Sequence, residues 1–168
     1  MLWPRPGSLL TPVIRATISG ELMDDPHSKG RLRITGVIHV LEVRAGIAHV
    51  RIGDGKNLTL QQGADAAREL CDDLLQVLEL TNHFLHGLII DVRRAPSITG
   101  PKTRAVLGQA LRAWERANLP VVFVVGDQPI KETQFTGLVR EHAPTQGKVT
   151  KGYQEAQAHC TDNWRRKH

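Results

Sequence analysis

Two short aliphatic runs, residues 87–92 and 121–125, constrain the fold more than any other feature of this chain. Almost every residue in each run is apolar, without the alternation of apolar and polar positions expected when one face of a strand meets water. Such runs are typical of parallel strands that are covered on both faces. The sequence therefore predicts two neighbouring, parallel core strands with helices above and below them.

The first run leads directly into a predicted helix, so residues 86–111 form a strand, a turn and a helix. The strand ends in Arg93-Arg94, and Gly100 precedes Pro101. Proline is favoured at the first helical position because its φ angle is preset and its missing N–H is not needed there. We expect this helix over about residues 101–118.

The rest of the chain alternates strand and helix patterns. Residues 37–43 and 47–52 are rich in β-branched residues, and Arg44-Ala45-Gly46 between them predicts a hairpin with Gly46 in the left-handed region. Apolar stripes predict three further helices, and a short edge strand is expected at 147–149. The further helices are expected over about residues 64–80, 129–140, with Ile130, Phe135, Leu138 and Val139 facing inward, and 153–164.

This alternation predicts the α/β class, with a mostly parallel sheet, an N-terminal hairpin and about four helices. We expect a flexible N-terminal tail over residues 1–30, a single domain over residues 31–164 and a basic C-terminal tail over residues 165–168. Met23 begins a stretch that is typical of a protein N-terminus, so either Met1 or Met23 is the expected start.

Composition narrows the functional class. The apolar fraction is 40% and the aromatic fraction 4%, which indicates an aliphatic core, and the formal charge of +5 permits an anionic partner without requiring one. No apolar run approaches the roughly 18 residues that a membrane span needs. Cys71 and Cys160 lie far apart on predicted helices, which favours two buried thiols over a disulfide or metal site. We expect a cytoplasmic protein with no metal, no cofactor and no specific nucleic-acid partner.

The chain resembles a STAS domain, the fold of bacterial anti-sigma-factor antagonists, and more loosely the SpoIIAA-like proteins. The resemblance covers about residues 35–160 and rests on these segments: 37–52, Gly87-Leu88-Ile89-Ile90-Asp91-Val92, 104–117, 119–125, Gln134-Phe135-Thr136-Gly137-Leu138 and 151–158. It implies a non-enzymatic regulatory module that acts through protein–protein contacts in bacterial signalling. The alternative that it implies is a SpoIIAA-like protein that binds a small ligand, a lipid or a nucleotide.

The chain departs from the STAS pattern at one position. The family carries a phosphorylatable serine in the loop before the second helix, and the alignment on Asp91 puts Gly100 there. Glycine has no hydroxyl, so we do not expect a phosphorylation switch at this position. Ser97 and Thr99 are the nearby hydroxyl groups on the same loop.

Cations gather around the same loop. Lys102 and Arg104 lie in the first helical turn, where acidic residues are usual, and Arg93 and Arg94 lie just upstream. We therefore predict an anion-binding or partner-binding surface for an acidic protein or a phosphate-bearing ligand. Its candidate residues are Arg93, Arg94, Ser97, Thr99, Gly100, Lys102 and Arg104. The alternative is that the cations extend into solvent or pair with Asp127 or Glu132.

Catalytic patterns are weaker. Asp91, at a strand end, is expected to bond its own loop or a ligand, since the acidic pair that a receiver domain needs is missing. Ser97, His142 and Asp91 would suit a third possibility, a small α/β hydrolase-like enzyme, although no nucleophile elbow surrounds Ser97. A polar pocket holding these three residues would favour the enzyme. An apolar cavity between sheet and helices would favour the ligand-binding protein, and a tightly packed interior the interaction module.

Overall fold

The structure, a computed structural model, describes residues 16–18, 32–81, 83–96 and 100–168. Six strands form a mixed sheet, a short strand pairs with its edge, and four helices pack against it. In chain order the elements are β1 Ala16–Ile18, β2 Leu32–Thr35, β3 His39–Arg44, β4 Ile47–Ile52, α1 Leu60–Thr81, β5 Gly87–Asp91, α2 Pro101–Arg116, β6 Val121–Val124, α3 Pro129–His142, β7 Gly147–Thr150 and α4 Tyr153–Lys167.

The strands lie in the sheet in the same order as in the chain. The pairings from β1 to β4 are antiparallel, and those from β4 to β7 are parallel. The core strands β5 and β6 are adjacent and parallel, with Leu88 opposite Val121, which confirms that prediction. The α/β class and the four helices are also confirmed. The sheet is mixed rather than mostly parallel, because β1 and β2 extend the predicted hairpin into an antiparallel meander.

The helices form two unequal layers. Crossovers of one hand between strands that advance in one direction place their helices on one face of the sheet. Accordingly Leu88 and Ile90 pack in one core with residues of α1, α2 and α3, whereas Ile89 packs in a second core with Ala156 and Cys160 of α4. Strands β5 and β6 are therefore covered on both faces, as their unbroken apolar sequences predict.

A glycine lets α4 approach the sheet closely. A Cβ atom at Gly87 would lie 2.7 Å from Cys160 Sγ and 2.8 Å from Pro120 Cγ, so no larger residue fits. Burial raises the pKa of the Cys160 thiol to about 12, and the protonated thiol packs as an apolar group. Cys71 and Cys160 are both buried and free.

Four details differ from the sequence-based expectations. The hairpin turn is shorter, because Arg44 pairs with Ile47 and Ala45 and Gly46 both have positive φ. In α3, Ile130 is 65% exposed, and Lys131 takes the inward position instead. Helix α4 extends to Lys167, so most of the expected basic tail is its last turn. Within the expected N-terminal tail, Ala16–Ile18 forms β1, and the other residues lie outside the described part of the chain.

Among the described residues, no helix combines the length and apolar character that crossing a lipid bilayer requires.

Replacement of Ile90 by aspartate tests the central strand. Ile90 is 1% exposed and lies between Val50 and Phe123 in the sheet, so the new carboxylate would be buried without a partner. We expect Ile90→Asp to lower the free energy of unfolding by more than about 3 kcal/mol. Urea unfolding followed by circular dichroism measures this loss. Thr35→Asp, at an exposed strand position, is the control and should cost less than about 1 kcal/mol. If Ile90→Asp unfolds at the same urea concentration as the parent protein, the burial of β5 is contradicted.

Candidate functional site

A cavity of about 750 Å³ lies where the carboxyl ends of the parallel strands meet the first turns of α1 and α2. We call it the strand-end cavity. Its walls are mainly apolar side chains from the strand ends and from three helices, and they include Ile52, Val92, Phe123, Leu70, Leu107 and Phe135. Ligands of open α/β sheets usually bind at this end of the strands. The cavity is therefore the candidate functional site.

Small residues keep this space open. Gly63, Ala64 and Ala67 form the cavity side of the first turns of α1, and Gly100 precedes α2. A Cβ atom added at Gly63 or Gly100 would meet no other atom within 4 Å. Further along α1, larger buried leucines close the core, beginning with Leu70. Since protein interiors are normally close-packed, the volume follows from this run of small side chains.

A second, more polar space of about 570 Å³ adjoins the cavity, and we call it the basic groove. It runs between the β2–β3 turn and the end of β4. The two spaces share the lining residues Ile38, Ile52, Asp54, Gly55, Lys56 and Leu58. The basic side chains Arg51, Lys56 and Arg94 line the groove. The apolar cavity and the cationic groove thus meet at the six shared residues, which we call the seam.

Two carboxylates of α1 hold the wall of this groove. The backbone N–H of Val37 donates to Glu69 Oε2 at 2.9 Å, and His39 Nε2 lies 2.8 Å from Asp73 Oδ2. The His39 side chain is fully buried, and a Cβ atom at Gly36 would collide with its ring. Both carboxylates lie outside the apolar stripe of α1, and their spacing of four residues places them on one helix face, beside the β2–β3 turn.

Asp91 binds its own loop. Its Oδ1 accepts hydrogen bonds from the backbone N–H of Arg93 at 3.1 Å and from Arg93 Nε at 2.9 Å, and its Oδ2 lies 2.7 Å from Arg93 Nη2. Burial raises the pKa of the Asp91 carboxyl, but the Arg93 hydrogen bonds and the charges of Arg93 and Arg51 outweigh this, so the pKa lies below its ordinary value. Asp91 is therefore an ionised anchor of the loop after β5.

Lys131 supports the same loop from beneath, and the sequence analysis missed it. The side chain is 2% exposed, and Nζ donates to the carbonyl oxygens of Val92 at 2.9 Å and Arg93 at 2.8 Å. Burial lowers the pKa of the Lys131 amine, and the charge of Asp91 opposes this shift. Helical spacing could have predicted the inward position of Lys131, because this residue lies four residues before the inward-facing Phe135 and therefore on the same helix face.

The predicted cationic surface divides into distinct groups. Arg93 is engaged by Asp91, whereas Arg94 lines the basic groove and Lys102 lines the strand-end cavity. The side chains of Arg94 and Lys102 make no hydrogen bond or ion pair with any described residue. Arg104 lies on the opposite side of the α2 turn, close to α3, with its guanidinium 4.0 Å from a Cβ position at Gly137.

The other residues of that prediction are placed as follows. Gly100 is the N-cap of α2 and lines the cavity, while Ser97 and Thr99 lie outside the described residues. The alternative partner Asp127 lies 3.6 Å from Lys151. The cations that face the cavity and groove are therefore Arg94, Lys102, Lys56 and Arg51, of which the sequence analysis singled out the first two.

Of the candidate catalytic residues, the two that the structure describes, Asp91 and His142, are not brought together. Asp91 ends β5, whereas His142 ends α3, which runs back along the sheet for its full length of about 20 Å. His142 Nδ1 lies 2.7 Å from Arg112 Nη1. The ring of His86 stacks on Trp164 with centroids 4.2 Å apart. In the part of the chain that the structure describes, no cluster of three or more histidine, cysteine or acidic residues is arranged to hold a metal ion.

No protein-family model and no curated protein matches this chain.

Asp91→Asn tests the anchor of the loop. The folded-state pKa of Asp91 is depressed, so its contribution to stability is present above the unfolded-state pKa and disappears as pH falls through the folded-state pKa. We expect the variant to lose about 1–2 kcal/mol of unfolding free energy at neutral pH, and a much smaller amount at about pH 2. Urea unfolding at the two pH values measures both differences. A loss that is equal at the two pH values would contradict an ionic role.

Proposed function

We propose that this domain is a non-enzymatic binding module that holds a small, largely apolar molecule in the strand-end cavity. The single observation that carries this proposal is the cavity itself, about 750 Å³ of space with apolar walls at the carboxyl ends of the strands. Among the three functions that the sequence leaves open, ligand binding is the one for which an apolar cavity between the sheet and the helices is the expected sign.

The size and chemistry of the cavity support the proposal. Small-molecule sites commonly measure about 300–1,000 Å³ and are lined mainly by apolar side chains with a few polar groups. Phe123 and Phe135 lie in contact at the wall, with ring centroids 4.7 Å apart, and present a rigid apolar surface. Removing an apolar ligand from water against such walls is favourable in proportion to the area that becomes buried.

Gly63→Phe tests the cavity without damaging the core. Gly63 lines the cavity, and a side chain there enters open space, so the ring would occupy volume that the ligand needs. The neutral fluorescent probe N-phenyl-1-naphthylamine reports binding. We expect the affinity of the probe to fall about tenfold or more, while stability stays equal or rises because glycine disfavours the helix interior. Fluorescence titration and urea unfolding measure the two effects.

Gly137→Phe is the matched control for this experiment. Gly137 is also a helical glycine, but it is exposed on α3 and does not line the cavity. We expect this control to bind the probe as the parent protein does. Equal probe affinity in Gly63→Phe and in the parent would overturn the proposal.

A second candidate function is STAS-like regulation of a bacterial signalling protein through direct contact. The observation that favours it is the side chains of Arg94 and Lys102, which have no described partner and lie at the loop that the STAS resemblance assigns to partner contact. Cations without a described partner would attract an acidic protein face, because complementary charge speeds and orients association.

Native mass spectrometry of the protein from its own host separates the two candidates. We expect a mass increment of a few hundred daltons, lost on denaturation, if the cavity carries a small molecule in the cell. A complex with a protein that dissociates on Arg94→Glu/Lys102→Glu substitution, without a small-molecule increment, would favour the regulatory module instead. If the protein carries neither a small molecule nor a bound protein, both candidate functions are contradicted.

A further inference from the structure

We infer that the ligand is an amphiphile with an anionic head: its apolar chain occupies the strand-end cavity, and its carboxylate or phosphate group lies where the cavity meets the basic groove, with Lys102 on the cavity side and Arg94 on the groove side. This inference rests on the proposed function and adds the chemical class of the ligand.

First, the cavity and the groove are continuous. Lys56, Leu58 and Ile52 line both the cavity and the groove, so the spaces meet at these residues. A molecule seated among the apolar walls can therefore extend its other end directly into the groove. A wholly apolar ligand would leave the groove without a role, and a wholly polar one would leave the cavity walls uncovered.

Second, the charged side chains that line the two spaces are mostly basic. Among the described lining residues, the basic side chains are Arg51, Lys56, Arg94 and Lys102, whereas the acidic one is Asp54. Asp54 lies 3.5 Å from Lys56 and offsets part of that charge. No described side chain forms a hydrogen bond or an ion pair with Arg94 or Lys102. An anionic group would supply the acceptors for charge-assisted hydrogen bonds from these cations.

The third argument is the direction of the helices. Both α1 and α2 begin at the cavity, and their first turns, Leu-Gln-Gln-Gly and Pro-Lys-Thr-Arg, contain no acidic residue. The first turns of α3 and α4 contain Glu132 and Glu155. A helix start carries partial positive charge, which an acidic residue normally offsets. At the two helices that border the cavity this charge adds to the basic side chains, so the field at the seam favours an anion.

A series of ligands with one chain and different heads tests the inference. Dodecanoate, dodecyl phosphate and dodecanol, each below its aggregation limit, compete with N-phenyl-1-naphthylamine for the parent protein. We expect the two anions to bind about tenfold or more tightly than the neutral alcohol. The ratio between carboxylate and phosphate then distinguishes a free fatty acid from a phosphate ester as the preferred source of the head.

Paired variants locate the head. Arg94→Gln/Lys102→Gln should lower the affinity for the preferred anion about tenfold and leave that for dodecanol unchanged, since only the head contacts these residues. Arg116→Gln/Arg140→Gln removes the same charge from exposed positions in the last turns of α2 and α3, at the other end of the helices, and should change neither affinity. Added salt should weaken binding of the anions more than binding of dodecanol.

Each outcome bears on one proposal. Dodecanol binding as tightly as both anions would overturn the anionic head and leave the apolar cavity as the binding site. Anion affinity that survives in Arg94→Gln/Lys102→Gln would overturn the placement of the head. If neither the neutral probe nor any of the three amphiphiles binds the parent protein, the proposed function itself fails.

Discussion

Burial of β5 and β6 on both faces is the constraint on which the rest of this structure depends. The side chains of Leu88, Ile90 and Phe123 pack toward α1–α3, and those of Ile89 and Val122 pack toward α4. Each helix must therefore lie close to the sheet, and Gly87 permits this for α4 by leaving room for Cys160 and Pro120. Because consecutive parallel strands require crossovers, the starts of the helices gather at the strand ends. This same constraint creates the site, since it brings the small residues of α1 and the Gly100–Pro101 entry of α2 to one end of the sheet.

Polar side chains stabilise the loops at that end of the domain. Lys131 supplies two donors to the carbonyl oxygens of Val92 and Arg93, which lie just beyond the last residue of β5. Asp91 supplies acceptors to the backbone and guanidinium of Arg93. On the other side of the cavity, Glu69 and Asp73 hold the β2–β3 turn. These hydrogen bonds tie the backbone around the cavity and the groove to β5, α1 and α3.

Much of the architecture was predictable from the sequence. The unbroken apolar runs determined the two parallel core strands, because burial on both faces excludes alternation. The apolar spacing determined the four helices, and Gly100 with Pro101 determined where α2 begins, since the φ angle of proline and its missing N–H suit that position alone in a helix. The sequence also predicted a group of basic side chains near the loop, because these residues are consecutive or nearly so in the chain.

Only the tertiary structure shows that residues of these elements surround a cavity. The cavity is formed by α1, α2, α3 and strand ends that are distant in sequence, and no local pattern reveals that Gly63 and Gly100 leave volume unfilled. Lys131 faces inward and Ile130 outward because two carbonyl oxygens of another segment satisfy the amine, whereas hydrophobicity taken residue by residue predicts the reverse. Arg93 is engaged and Arg94 faces the groove, although the two are adjacent and chemically identical. Periodicity determines which elements form, but the partner that each polar side chain meets depends on packing between elements, and that packing produced the candidate site.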